Sequence, residues 1–102
     1  MKLVQIFIPL TDTDGNRFPQ RYFQQLKSTF SEKFGGVTIY KQTPVEGFWK
    51  RTEEKVEKDV LAIFEVLVNL IDQAYWEQLK AHLETKFKQK DLLIRYWEVT
   101  VI

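Results

Sequence analysis

The sequence predicts one α+β domain, a four-stranded antiparallel sheet with two helices on one face. Three observations carry this expectation. Residues 3–10 alternate at period two, as a strand does. Two segments, around Tyr22 and around Tyr75, space their apolar residues by three and four, the mark of an amphipathic helix. Between those segments stand a short alternating run and the long apolar run "VLAIFEVLV" at 60–68.

In the first strand Val4, Ile6, Ile8 and Leu10 share one face, and Leu3, Gln5 and Phe7 the other. "TDTDGN" at 11–16 is rich in turn formers. Pro19 suits a first helical turn, where its missing N–H costs nothing. Tyr22, Phe23, Leu26, Phe30 and Phe34 then trace a helix face, which Gly35 and Gly36 stop. A strand over 37–42 sets Val37 and Ile39 on one side, Thr38 and Tyr40 on the other. "TPVEG" turns the chain, and Phe48 and Trp49 begin a return. The charged run at 50–59 reads as a solvated hairpin or an extended strand end. Residues 60–68, apolar at both parities, suit a central strand covered on both faces. Asp72 is placed to cap a helix over 73–88, whose stripe is Tyr75, Trp76, Leu79, Leu83 and Phe87. A long last strand fills 92–102.

The order is strand, helix, strand, strand, helix, strand. Right-handed crossovers set the first and third strands side by side at the centre. This is the split βαβ, or ferredoxin-like, arrangement over residues 1–102. It leaves one sheet face without helices. That face takes Leu3, Phe7, Ile63 and Leu67, or the residues of opposite parity. It also takes one parity of the last strand, either Leu93, Trp97, Val99 and Val101 or Leu92, Ile94, Tyr96 and Ile102. Parity alone does not choose, because a slip of one residue exchanges the faces. An apolar face of that size calls for cover. A homodimer packed sheet on sheet about a two-fold axis supplies it. A last strand reaching across to exchange edges also makes a dimer.

The chain has 102 residues, 44% hydrophobic and 28% charged, with aromatics high at 15%. Lys and Arg number 15 against 14 Asp and Glu, a net charge of +1. That balance lacks the basic footprint of a nucleic-acid binder. The absence of cysteine removes disulfides, thiolate nucleophiles and thiolate metal sites, and fits a reducing compartment. "MKLVQIFIPL" is broken by Gln5 and Pro9 and lacks a small-residue cleavage site, so it reads as a strand rather than a leader. No run approaches the roughly 20 apolar residues of a membrane span. The expectation is a cytoplasmic protein with no membrane or nucleic-acid partner.

The element order resembles the dimeric α+β-barrel group of ferredoxin-like proteins, which pair through the open sheet face. More locally, "FGGVTIY", "EGFWK" and "DVLAIFEVLV" resemble small bacterial proteins that have no established activity. The resemblance implies the fold and a homodimer, and leaves activity open.

Four residues stand out as a candidate pocket or interface: Tyr40, Trp49, Glu65 and Arg95. Glu65 lies in the most apolar strand, at the parity of Leu61, Ile63 and Leu67. Buried without a partner it would be costly, and its pKa would rise as in many acid–base groups. The structural alternative gives it Arg95, Lys41, or the hydroxyl of Tyr40 or Tyr96. Arg95 can hold an anion through paired N–H groups, or close an ion pair at an edge or interface. Trp49, with Phe48, can cap the open end of a barrel, anchor an interface or wall a site. His82 has no second histidine or cysteine beside it, which makes a poor metal site. Haem-degrading members of the resembled group combine an asparagine, a tryptophan and a histidine. Here Gln5 stands on the first strand and the third strand carries no tryptophan, so no cofactor is expected. "IFIPL" faintly resembles an RNA-recognition motif, but Glu65 stands where basic or aromatic character is needed. "TDTDGNR" is acidic where a phosphate cradle is needed, which argues against acylphosphatase chemistry.

Two functions of different class remain. Packing explains more positions than chemistry demands, which favours a non-catalytic assembly or regulatory module. The alternative is a ligand-binding or enzymatic barrel, monooxygenase-like, acting on a small hydrophobic or aromatic compound. There Glu65 would be the acid–base or hydrogen-bonding group, with Tyr40, Trp49 and Arg95 shaping the pocket.

Overall fold

A computed structural model describes residues 1–41, 49–52, 55–57 and 61–102, the segments 49–52 and 55–57 by backbone only. The elements run β1 (Lys2–Pro9), α1 (Gln20–Phe34), β2 (Thr38–Tyr40), β3 (Trp49–Thr52), β4 (Lys55–Glu57), β5 (Leu61–Val68), α2 (Gln73–Lys86) and β6 (Ile94–Glu98). Four strands form an antiparallel sheet in the order β2-β5-β1-β6. The first and third strands of that sheet, β1 and β5, lie side by side at its centre, which is the ferredoxin-like topology. Within the charged run, β3 and β4 pair antiparallel as a separate two-stranded sheet.

Local chemistry explains the punctuation. In the "TDTDGN" turn the Asp12 carboxylate accepts from the backbone N–H of Asp14 and of Asn16, both at 2.9 Å. Those bonds, led by the one from Asn16, hold its pKa below the ordinary carboxylate range. Gly35 ends α1 in the left-handed region at φ 79°, its N–H donating to the Ser31 carbonyl at 3.0 Å. Asp72 caps α2 by accepting from the Tyr75 N–H at 3.2 Å.

One face of the sheet carries the core. Val4, Ile6, Ile8, Ala62, Phe64, Val66 and Val68 are buried together with Phe23, Leu26 and Phe30 of α1 and Trp76 and Leu83 of α2. Both helices therefore cover that face. The surplus of aromatic residues collects in two clusters. Phe30 meets Phe64 at 6.3 Å and Trp76 at 6.0 Å, while Phe34 stacks on Trp76 at 5.5 Å. Phe87 sits among Phe18, Tyr22 and Phe23 at 5.0–5.7 Å.

Several boundaries differ from expectation. β2 is assigned to Thr38–Tyr40 where the expectation ran over 37–42; among the described residues only Thr38, Ile39 and Tyr40 find partners on β5, and Gln42 lies outside them. β6 ends at Glu98 rather than at residue 102. It pairs residue for residue with β1, and that ladder closes where the Val99 N–H meets the Met1 carbonyl at 2.9 Å. Among the described residues, β5 is covered on its helix side alone. On its other side Leu61, Ile63 and Glu65 are half-buried and Leu67 is 41% exposed. No helix among the described residues is long and apolar enough to cross a membrane.

Candidate functional site

Cross-strand register orders the helix-free face into rows, because directly opposed residues share a side of the sheet. The middle row crosses all four strands as Thr38, Glu65, Gln5 and Arg95. On one side of it lie Tyr40, Ile63 and Phe7, with Leu93 opposite Phe7 through a 3.0 Å backbone hydrogen bond. On the other side lie Leu67, Leu3 and Trp97. A polar row is thus flanked by two apolar ones.

The register brings three of the four predicted site residues onto one face. Glu65 and Arg95 do not touch. They stand on either side of β1, two strand spacings or about 10 Å apart. Gln5 joins them: its Nε2 donates to Glu65 Oε1 at 2.5 Å, and its Oε1 accepts from Arg95 Nε at 3.0 Å. The Arg95 guanidinium lies 5.0 Å from the Phe7 ring centroid and 5.7 Å from that of Trp97, where the ring faces attract it. Tyr40 is diagonal to Glu65, whose carboxylate charge pushes the tyrosine pKa up. Glu65 is therefore half-buried and hydrogen-bonded rather than buried and unpartnered.

Of the partners foreseen for Glu65, Arg95 is reached only through Gln5. Tyr96 opposes Val4, a helix-face residue, and so has the wrong parity. Sequence reasoning passed over Gln5 as a site residue, because only strand register sets it between the two charges. Phe48 and the side chain of Trp49 lie outside the described residues.

The row's chemistry is that of holding rather than proton transfer. A primary amide in the middle fixes two charges in place and does not relay a proton between them. The guanidinium presents its terminal N–H groups to any carboxylate or other anion that arrives above the sheet. Glu65 keeps acceptor capacity beyond its bond to Gln5.

Two surface grooves accompany this face and its reverse. One, of about 550 Å³, runs along the β2–β5 margin between Leu3, Phe34, Thr38, Glu65 and Leu67. The other, of about 540 Å³, lies between the helices, lined in part by Tyr22, Thr29, Tyr75, Gln78 and His82. His82 is exposed there, on the far side of the sheet from Glu65. The Tyr75 hydroxyl is buried without a hydrogen-bond partner, and burial raises its pKa. Among the described residues no three His, Cys, Asp or Glu side chains converge as metal ligands.

Comparison with protein-family models, curated proteins and solved structures finds no match to this chain.

Proposed function

We propose that this chain is a small homodimeric assembly module, non-catalytic in itself, whose two copies pair through their helix-free sheet faces. The observation that carries this reading is the solvent-facing apolar surface in the two outer rows. Tyr40, Leu67, Leu93 and Trp97 are 41–49% exposed there, and Leu3, Phe7 and Ile63 are half-buried beside them. With four strands about 4.8 Å apart and a rise of about 3.3 Å per residue, the face projects on the order of 400 Å². Its corrugated accessible area is larger and approaches the roughly 600 Å² per partner at the lower end of specific interfaces. Water above such a patch is released when a second copy covers it. The absence of cysteine fits a reducing compartment such as the cytoplasm.

Hydroxyl-radical footprinting at high and low concentration tests this reading. Trp97 is expected to be shielded in the concentrated sample and oxidised on dilution, with buried Trp76 unchanged. Equal oxidation of Trp97 at both concentrations overturns the pairing.

One observation favours a second reading, a ligand-binding barrel. The groove beside Glu65 has the volume of a small-molecule site, and a facing sheet would roof it. Its occupant would be a small aromatic or hydrophobic compound with one hydrogen-bond donor for Glu65. Such a compound would raise the melting temperature at stoichiometric levels and change tryptophan fluorescence. Loss of that change in Glu65→Gln supports the site; an unaltered response removes Glu65 from it.

A further inference from the structure

The middle row says how two copies must face each other, an inference that rests on the homodimer reading above. A two-fold axis relating face-to-face sheets lies in the plane between them. Two aligned packings follow. With the axis along the row, each residue of the row faces its own copy, so Glu65 meets Glu65 and Arg95 meets Arg95. With the axis along β1, the row is reversed left to right. Then β5 faces the partner's β6, Gln5 faces Gln5, and Glu65 faces Arg95 twice.

The outer rows meet as apolar contacts in both packings, although the second leaves β2, with Tyr40, beyond the partner's β6. In the first, Phe7 meets Leu3 and Ile63 meets Leu67. In the second, Phe7 meets Phe7 and Leu67 meets Trp97. All are apolar contacts. The charged row decides between them. Like charges enclosed between two sheets repel and lose water without compensation. Opposite charges at the same place are paired.

From this we infer that the dimer forms about an axis parallel to β1 and that Arg95 of each copy completes the Glu65 site of the other. Three features of the single chain suit this. Gln5 holds Glu65 and Arg95 on opposite sides of β1, at equal strand offsets from it. Among the described residues, Arg95 donates only through Nε, which leaves its terminal N–H groups for a facing carboxylate. Phe7 and Trp97 support the guanidinium from within the sheet surface. Sheets packed face to face stand about 10 Å apart, a gap that an arginine and a glutamate reaching toward each other bridge. The polar row thereby fixes register in an interface whose apolar contacts are permissive, a role known for buried polar groups.

A charge-swap series in sedimentation velocity tests this, with wild type, E65K, R95E and the double variant E65K/R95E. Each single substitution is expected to weaken the dimer by about 30-fold or more, as close interfacial charge pairs do. The double variant rebuilds both pairs with reversed sign and is expected to return within about 5-fold of wild type. Singles that dimerise as wild type does, or a double variant weaker than either single, overturn the reciprocal pairing while the open-face dimer stands. A wild type that never dimerises overturns the homodimer reading itself. A second measurement uses substitutions that barely perturb folding. The chain has no cysteine, so E65C and R95C chains can be treated with a bis-maleimide, separately and mixed. Cross-linking in the mixture alone supports the axis along β1. Cross-linking of E65C with itself refutes it.

Discussion

Trp97 offers the sharpest single test of the interface. It lies in an outer row of the helix-free face, opposite Leu3, and is 41% exposed. A large aromatic side chain buries up to about 250 Å², so about 100 Å² of Trp97 is left for a partner to cover. At about 25 cal/mol per Å² this is about 2.5 kcal/mol per copy, or about 5 kcal/mol for both copies in a dimer. Alanine retains part of that contact, and interface area converts incompletely into affinity. The expected loss for Trp97→Ala is therefore about 1.5–4 kcal/mol, a 10- to 1,000-fold weaker dimer. The monomer should be little altered, since Trp97 lies outside the buried core. A dilution series in sedimentation velocity gives the dissociation constant, and circular dichroism reports the fold. A Trp97→Ala dimer within about 2-fold of wild type would refute the claim that this face is the contact.

Other predictions follow from the core and from the charges. Phe30 is fully buried between Phe64 and Trp76. Phe30→Ala should cost about 3–5 kcal/mol, a large share of a small domain's stability, and lower the melting midpoint by about 15 °C or more; a shift of under about 5 °C would mean the aromatic cluster is not packed as described. The charge of Glu65 raises the Tyr40 pKa, so Glu65→Gln should let Tyr40 ionise at lower pH. The ultraviolet difference titration against Tyr40→Phe shows this, and an unmoved Tyr40 would separate the two side chains. Glu98 is held below the ordinary carboxylate range chiefly by its hydrogen bond from Lys2. Its folded pKa is lower than its unfolded one, so its stabilisation is full above the unfolded value and is lost as pH falls through the folded one. Because the carboxylate is exposed the effect is small. Thermal melts in acid should show wild type losing slightly more stability than Glu98→Gln, and the opposite order would contradict the sign.

How much of this was legible in the sequence depends on the kind of signal. Helix faces were, because Phe23, Leu26 and Phe30 recur at a helical period and Gly35 and Asp72 mark ends. Sheet order followed from connection rules. The choice of face did not, because β1 is apolar at both parities. The structure turns Ile6 to the helices and Phe7 away. The end of β6 was hidden for a different reason: residues 99–102 have strand-forming composition, but strand length is set by the ladder with β1. Glu65 and Arg95 were each recognisable as charged residues out of place in apolar strands. Gln5 was not, since an amide among aliphatic residues has no distinguishing pattern until register sets it opposite Glu65 and Arg95.

The claim that two copies cover each other's open face is tested most directly by solution mass. Light scattering after size exclusion, repeated over a wide dilution range, is expected to give twice the 12.2 kDa of one chain and to fall toward the single-chain mass only at low concentration. A single-chain mass at every concentration would contradict it.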